Sequence, residues 1–272
     1  VQTCALPIWG GDAVKLRIIT GRAGAGKSKL VLETIAAQRF ECPQILLVPE
    51  HATHEAELDL CRALGDTASR DGEVLSFQSL ATRVLSQTGG ISDITLDNGG
   101  KILIMRRALQ EVSSYLTVFS KPSQRPAFLR ELVALADELY AYKIAPSLLL
   151  QQVQDIPGAA GDKLRSTALL FGAYDARLQG GDFDARSKVQ KLCDKLPNSD
   201  YLCGKDIYID GFSYFNRTEE DIIAAALKQA NSVTVTLLGD DSDPQLFRNG
   251  IQQRERLRRL AKDAGCSCEE IG

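Results

Sequence analysis

The sequence predicts an α/β fold: a parallel sheet entered through a phosphate-binding loop and interrupted by an all-helical inserted subdomain. Three observations predict it. The apolar run Leu16-Arg17-Ile18-Ile19-Thr20 leads straight into Gly21-Arg22-Ala23-Gly24-Ala25-Gly26-Lys27-Ser28, and a helix-like run from Leu30 to Phe40 follows. Short strand-like and longer helix-like segments then alternate as far as Gly89-Gly90, the pattern of βαβ units. Strand-like runs vanish between Leu96 and about Leu178, where helical spacing takes over, and return at Asp206.

The first strand is expected at Lys15 to Thr20, and the helix after the loop has Leu30, Ile35 and Ala36 on an apolar side. Gln44-Ile45-Leu46-Leu47-Val48 is a continuous apolar run of the kind a parallel sheet buries on both faces, and Pro49 ends it. A helix is predicted over Ala52 to Leu64, a third strand over Glu73 to Phe77, and a helix over Leu80 to Gln87. The insertion has helical spacing in Ile102 to Val112, Ala127 to Tyr142 and Lys163 to Leu178, with joints at Pro122-Ser123-Pro126 and Pro157-Gly158. The sheet resumes with a strand at Asp206 to Ile209, a helix at Glu219 to Gln229, a strand at Val233 to Leu238 and a helix at Gln252 to Ala264. The expected organisation is therefore a leader at residues 1–14, a core at 15–96, a helical insertion at 97–180 and the second part of the core at 181–272.

The glycine-rich octet carries the chemistry. Its glycines let successive backbone N–H groups turn inward toward phosphate oxygens, and the following helix presents its positive end. Gly21, Arg22, Ala23, Gly24, Ala25, Gly26, Lys27 and Ser28 are the candidate nucleotide-binding residues, with Lys27 reaching the β and γ phosphates and Ser28 holding Mg²⁺. The bland alternative is a glycine-rich turn with no ligand. Asp210 closes the strand Ile207-Tyr208-Ile209 and is the candidate second Mg²⁺-linked residue; Asp-Gly is also a common tight-turn dipeptide. Motor ATPases usually carry a glutamate after this aspartate to polarise water. Gly211 stands there instead, and a missing general base costs roughly 10²–10⁴ in rate.

Bulk properties bound the rest. The 272 residues are 44% apolar with a formal charge of −3, which argues against a chain that coats nucleic acid through its overall field. No apolar stretch approaches the roughly 20 residues that span a bilayer, so no membrane association and a cytoplasmic location are expected. The seven cysteines are odd in number and scattered, as thiols of a reducing compartment are; Cys266 and Cys268 are a weak candidate half metal site. Met105 is the only methionine, and Val1 to Gly11 has Cys4, Pro7 and Trp9 in no pattern. The chain reads as a piece of something longer, with residues 1–14 a non-native or disordered leader.

The ordered series formed by the phosphate loop, Leu46-Leu47-Val48-Pro49-Glu50 with Glu55-Ala56-Glu57, Val74-Leu75-Ser76-Phe77 with Leu80-Ala81 and Val84-Leu85, and Ile207-Tyr208-Ile209-Asp210-Gly211-Phe212 resembles the amino-terminal part of the AddB family, the B subunit of the bacterial ATP-dependent helicase/deoxyribonuclease. The resemblance runs from about Lys15 to the end, and Asp-Gly-Phe is its most specific element. It implies a RecA-like P-loop NTPase sheet of the superfamily 1 helicase type, ATP and Mg²⁺ as ligands, and work on double-stranded DNA ends and single-stranded DNA. It also implies a heterodimer with a catalytic helicase-nuclease partner, the A subunit. The family further carries a carboxy-terminal nuclease domain and an iron–sulfur cluster, neither of which can be located here.

By the same resemblance Ser76, Phe77 and Gln78 occupy the place where related helicases touch the single strand by stacking and backbone contacts, although a plain core role for Phe77 is an equal reading. Arg254, Arg256, Arg258 and Arg259 form a basic run interrupted by Glu255, the pattern of a solvent face. Arg106 and Arg107 are ambiguous in the same way, and His51 and His54 read as a solvated helix start. Asp240-Asp241 and Gln245 loosely match a third helicase motif. Two rivals stand beside the helicase-like reading: a non-hydrolysing, nucleotide-bound DNA-scanning scaffold, and a small-molecule kinase, which the scattered arginines of the insertion disfavour.

Overall fold

The computed structural model describes residues 15–38, 41–65, 70, 72–90, 96–119, 125–153, 156–179 and 187–272; the expected leader at 1–14 lies outside them. Six strands form one sheet in the order β3-β2-β4-β5-β1-β6, and every pairing is parallel. They are β1 (Lys15–Gly21), β2 (Gln44–Leu47), β3 (Gly72–Leu75), β4 (Asp206–Ile209), β5 (Ser232–Leu238) and β6 (Cys268–Ile271). The α/β class expected from the alternating pattern is what the chain adopts.

Two compact units are present, and the first holds the described residues up to Val84 together with those of 195–215 and 219–272. In it, α1 (Lys27–Gln38) and α2 (Thr53–Leu64) bury Val31, Ile35, Leu60 and Leu64 against Ile19, Leu46 and Tyr208 of the sheet. β2 and β4 are buried at every position, as continuous apolar runs in a parallel sheet require. The polar exceptions use their donors: Gln44 donates to the Ile35 carbonyl at 3.2 Å, and the Tyr208 hydroxyl donates to Gln38 at 2.7 Å. At the amino edge, Asp206 accepts from Ser232 at 2.7 Å. Helix α3 (Phe77–Thr88) begins with a reciprocal cap, Ser76 and Ser79 each accepting the other's backbone N–H at 3.1 and 3.2 Å.

The second unit comprises residues 85–194 and 216–218 and is helical. Its elements are α4 (Asn98–Val112), α5 (Pro126–Ala141), α6 (Pro146–Val153), α7 (Gly158–Gln179) and most of α8 (Lys188–Lys195). Asp97 caps α4 by accepting the Gly100 N–H at 2.7 Å, and Pro126 occupies the first turn of α5. Met105, Leu109, Leu132, Phe171 and Tyr174 are among the residues of its core. Helices α9 (Arg217–Gln229) and α10 (Arg248–Asp263) complete the βα alternation around β4, β5 and β6.

Among the α-helices and strands of the described residues, α6, α8 and β6 were not foreseen. The last is an edge strand, Cys268-Glu269-Glu270-Ile271, mostly exposed and with two carboxylates. Its cross-strand partner is charged as well, Glu269 accepting from Arg17 of β1 at 3.1 Å. A short charged edge strand has no apolar run to announce it.

The first turn of α10 lies close to the end of β5. A Cβ at Gly250 would stand 1.7 Å from the Leu238 carbonyl oxygen, a contact backbone cannot yield to cheaply. Gly250→Ala should therefore push α10 off the sheet and lower stability by about 1–3 kcal/mol, read as an earlier urea midpoint at unchanged slope; an unaltered midpoint would show that the approach is looser than described.

Candidate functional site at the carboxyl edge of the sheet

The carboxyl ends of β1, β4 and β5 are staggered by the register. Gly21 pairs with Leu238, while Ile209 pairs with Val235, so β5 extends past β4 and carries Thr236 alongside Asp210. The strand between the glycine loop and the aspartate thus fixes the aspartate's side chain. Thr236, almost wholly buried, donates a short hydrogen bond from its hydroxyl to the Asp210 carboxylate, and the Asp210 N–H donates to the Leu47 carbonyl at 2.9 Å.

The octet forms the turn between β1 and α1. Gly24 and Gly26 have φ of 75° and 86°, and a Cβ on either would meet no atom within 4 Å. Glycine is required there by backbone conformation rather than by crowding. The Ala25 N–H donates to the Arg22 carbonyl at 3.2 Å and the Leu30 N–H to the Gly26 carbonyl at 2.9 Å, so the loop closes directly into the helix. Lys27 folds back over it, donating from Nζ to the carbonyls of Gly21 at 2.9 Å and Arg22 at 2.8 Å. Burial pushes the Lys27 ammonium below its ordinary pKa, and the Asp210 carboxylate pushes it partly back. Ser28 is exposed in the first turn of α1.

A glycine turn with positive φ at Gly24 and Gly26, a helix amino end, one ammonium and one anchored carboxylate together make an arrangement able to receive a polyphosphate with a divalent cation. The donor set fits Mg²⁺, which characteristically takes one or two protein oxygens and fills its octahedron with water and substrate phosphate. Among the described residues no group of three or more His, Cys, Asp or Glu side chains is arranged to hold a metal ion by itself. Cys266 donates to the Leu227 carbonyl at 3.4 Å, and Cys266 with Cys268 does not supply the ligand set an iron–sulfur cluster needs.

The other sequence candidates fall in distinct environments. Ser76 is buried and occupied in capping α3. Phe77 is 5% exposed, its ring meeting Phe212 edge-on at 5.4 Å, and Phe212 in turn packs on Phe215 at 5.3 Å. Gln78 is the exposed member of the three. His51, His54 and Gln245 are exposed too. Three of the four arginines of the basic run of α10 are engaged with acids: Arg254 grips Asp241 through two bonds of 2.7 and 3.2 Å, Arg256 donates to Glu220 at 3.2 Å, and Arg258 pairs with Glu255 at 2.7 Å and with Glu270.

Two features of the site were not foreseen. The anchoring role of Thr236 had a signal in the sequence, since a threonine inside the buried run Val233 to Leu238 needs a polar partner. The second is an ion pair that links the loop to the turn after β5: Arg22 Nε donates to Asp240 at 2.5 Å, and its guanidinium lies 5.8 Å from the centre of the Phe247 ring.

A family model described as "ADDB, N-terminal" matches residues 18–271, which include every element of this site. Similar proteins, each named as the B subunit of an ATP-dependent helicase/deoxyribonuclease, come from Clostridioides difficile (33% identical over 92% of this chain), Desulforamulus reducens (36% over 84%) and Moorella thermoacetica (32% over 94%). The chain spans about a quarter of the length of these relatives, the alignments covering 23, 20 and 24% of them. With the model match running from the middle of β1 to the end of β6, the chain belongs to the AddB amino-terminal family.

Proposed function

We propose that this chain is the ATP-binding, helicase-like part of the B subunit of a helicase/exodeoxyribonuclease, built as a RecA-like P-loop domain of the superfamily 1 type with its helical unit as an inserted subdomain. The observation that carries the reading is the convergence, on one sheet edge, of the closed glycine loop, Lys27 and the Thr236-anchored Asp210. Lys27 would leave the Gly21 and Arg22 carbonyls for the β and γ phosphates, while Ser28 and Asp210 would hold Mg²⁺ directly or through water. The relatives' printed name supports ATP as the nucleotide. In the whole protein the activity would be processing of double-stranded DNA ends for homologous recombination, in the cytoplasm and beside a helicase-nuclease partner. Among the three candidate DNA contacts Gln78 is the one with an exposed side chain; a base could stack on Phe77 only after its ring parted from Phe212.

One observation favours the scaffold version, in which nucleotide is held without rapid turnover. Gly211 has φ of +81°, a backbone conformation that side-chain-bearing residues rarely adopt, so the position that carries a glutamate base in motor ATPases is shaped here for glycine. ATP turnover, with or without single-stranded DNA, should accordingly be slower than that of a motor with its base by about 10²–10⁴. Brisk DNA-stimulated hydrolysis would overturn the scaffold version.

Lys27→Ala should weaken ATP binding at least about tenfold, since a charge-assisted hydrogen bond contributes about 1.5–3 kcal/mol, while circular dichroism and the unfolding midpoint stay unchanged. Unaltered affinity in that variant would remove the phosphate-loop assignment. A pH series adds an independent check. Binding uses the protonated ammonium, whose pKa is already lowered by burial, so affinity should be flat at neutral pH and decline with rising pH before the ordinary lysine value of 10.5 is reached. In Lys27→Arg, which stays charged, that decline should disappear.

A further inference from the structure

The Arg22–Asp240 ion pair joins the glycine loop to the turn after β5, and the function just proposed uses the Arg22 backbone without assigning a role to its side chain. Its position along a bound polyphosphate is read from Lys27, whose resting Nζ lies 2.8 Å from the Arg22 carbonyl and needs only a side-chain swing to reach a phosphate beside it. A phosphate-loop lysine serves the β and γ phosphates, so the Arg22 backbone lies at the distal-phosphate end of the loop. The Arg22 side chain is 61% exposed and held by one carboxylate, with the Phe247 ring beside it.

The acid is fixed from its own side. Asp240 accepts the Ser242 N–H at 2.8 Å, and hydrogen bonds from Ser242 and then Arg22 hold its carboxyl at about 2, so it remains an anion at any working pH. Its turn is tied to the loop by the Gly239 N–H, which donates to the Gly21 carbonyl at 3.2 Å, and is seated by the close approach of Gly250 to Leu238. An anion on a rigid turn and an arriving phosphate must therefore compete for one guanidinium. Exposed ion pairs are weakly held, whereas a guanidinium forks onto phosphate through two parallel bonds.

We propose that the Arg22–Asp240 pair is a latch over the distal-phosphate end of the loop, which a terminal phosphate opens by drawing Arg22 off Asp240, making Arg22 the residue that distinguishes nucleoside triphosphate from diphosphate. The inference rests on the phosphate-loop reading of residues 21–28. A diphosphate ends short of the guanidinium and leaves the pair closed. The triphosphate exchanges the carboxylate for a phosphate and leaves Asp240 with its Ser242 bond alone. Asp240 thus opposes triphosphate binding in proportion to the strength of the resting pair.

The test is calorimetric titration of the full chain with Mg·ATP and Mg·ADP, for the parent, Asp240→Asn, Arg22→Gln and the double variant, with circular dichroism to establish that each is folded. Asp240→Asn should tighten ATP about two- to fivefold, the range of an exposed pair, and leave ADP unchanged. Arg22→Gln should weaken ATP about tenfold and ADP little, and in that background Asp240→Asn should have no further effect on ATP. An ATP-to-ADP affinity ratio in Arg22→Gln equal to the parent's would overturn the latch while the phosphate loop stood. Failure of the parent to bind either nucleotide would overturn the phosphate-loop reading and the latch with it. Should Arg22→Gln not fold, Arg22→Lys keeps the charge without the fork and should fall between the two ratios; a parental ratio there, with unchanged ATP affinity, would likewise count against the latch.

Discussion

The parallel pairing of β1, β5 and β4 is the constraint from which the site follows. Parallel strands start at one edge and end at the other, so the loops after β1, β4 and β5 emerge together on the carboxyl edge, where α/β sheets receive ligands. Their register then decides what faces what. Because Ile209 pairs with Val235, the residue beyond β4 meets Thr236; because Gly21 pairs with Leu238, the glycine loop meets the turn at Asp240. A slip of one residue between β4 and β5 would turn Thr236 to the opposite face and strip Asp210 of its hydrogen bond.

Charge on that edge is arranged in two separate pairs, and their differences matter more than their number. Lys27 and Asp210 sense each other without a direct ion pair: the ammonium bonds backbone carbonyls, and the carboxylate bonds Thr236. Each is held in place with its charge still open to a ligand, which is what preorganisation for a phosphate and its cation requires. Arg22 and Asp240 are joined directly and must separate before either can serve a ligand. On the proposed reading the resting site is therefore ready at its inner end and closed at its outer end.

The sequence made legible much of what rests on local pattern, although the short helices α6 and α8 escaped it. The apolar runs of β2 and β4 announced buried parallel strands, and the glycines of the octet announced a backbone that curls, which Gly24 and Gly26 do at φ of 75° and 86°. Features set by pairing were not legible. β6 shows two glutamates and no alternation, and only its place beside Arg17 of β1 makes it a strand. Asp240 was noticed as a loose match to a helicase motif, but its partner lies 218 residues earlier, a separation no local pattern reports. Ser76 and Phe77 are the instructive middle case. Their position at the end of β3 was read from the sequence, while the cap on Ser79 and the edge-on contact with Phe212 depend on packing.

Gly211 shows how composition and conformation can give one residue two reasons. In the sequence it is a missing carboxylate. In the structure it is a turn at φ +81° that swings the chain from the end of β4, carrying Asp210, to Phe212, whose ring packs against Phe77 and Phe215. A non-glycine residue in a left-handed conformation costs about 1–2 kcal/mol, and φ at this position is +81°. Glutamate at 211 would thus strain the backbone that positions Asp210 as well as adding a base. The absence of that base is tied to the way this strand ends. For the same reason, adding the glutamate back is a poor probe of hydrolysis, and the turnover of the unaltered chain is the cleaner one.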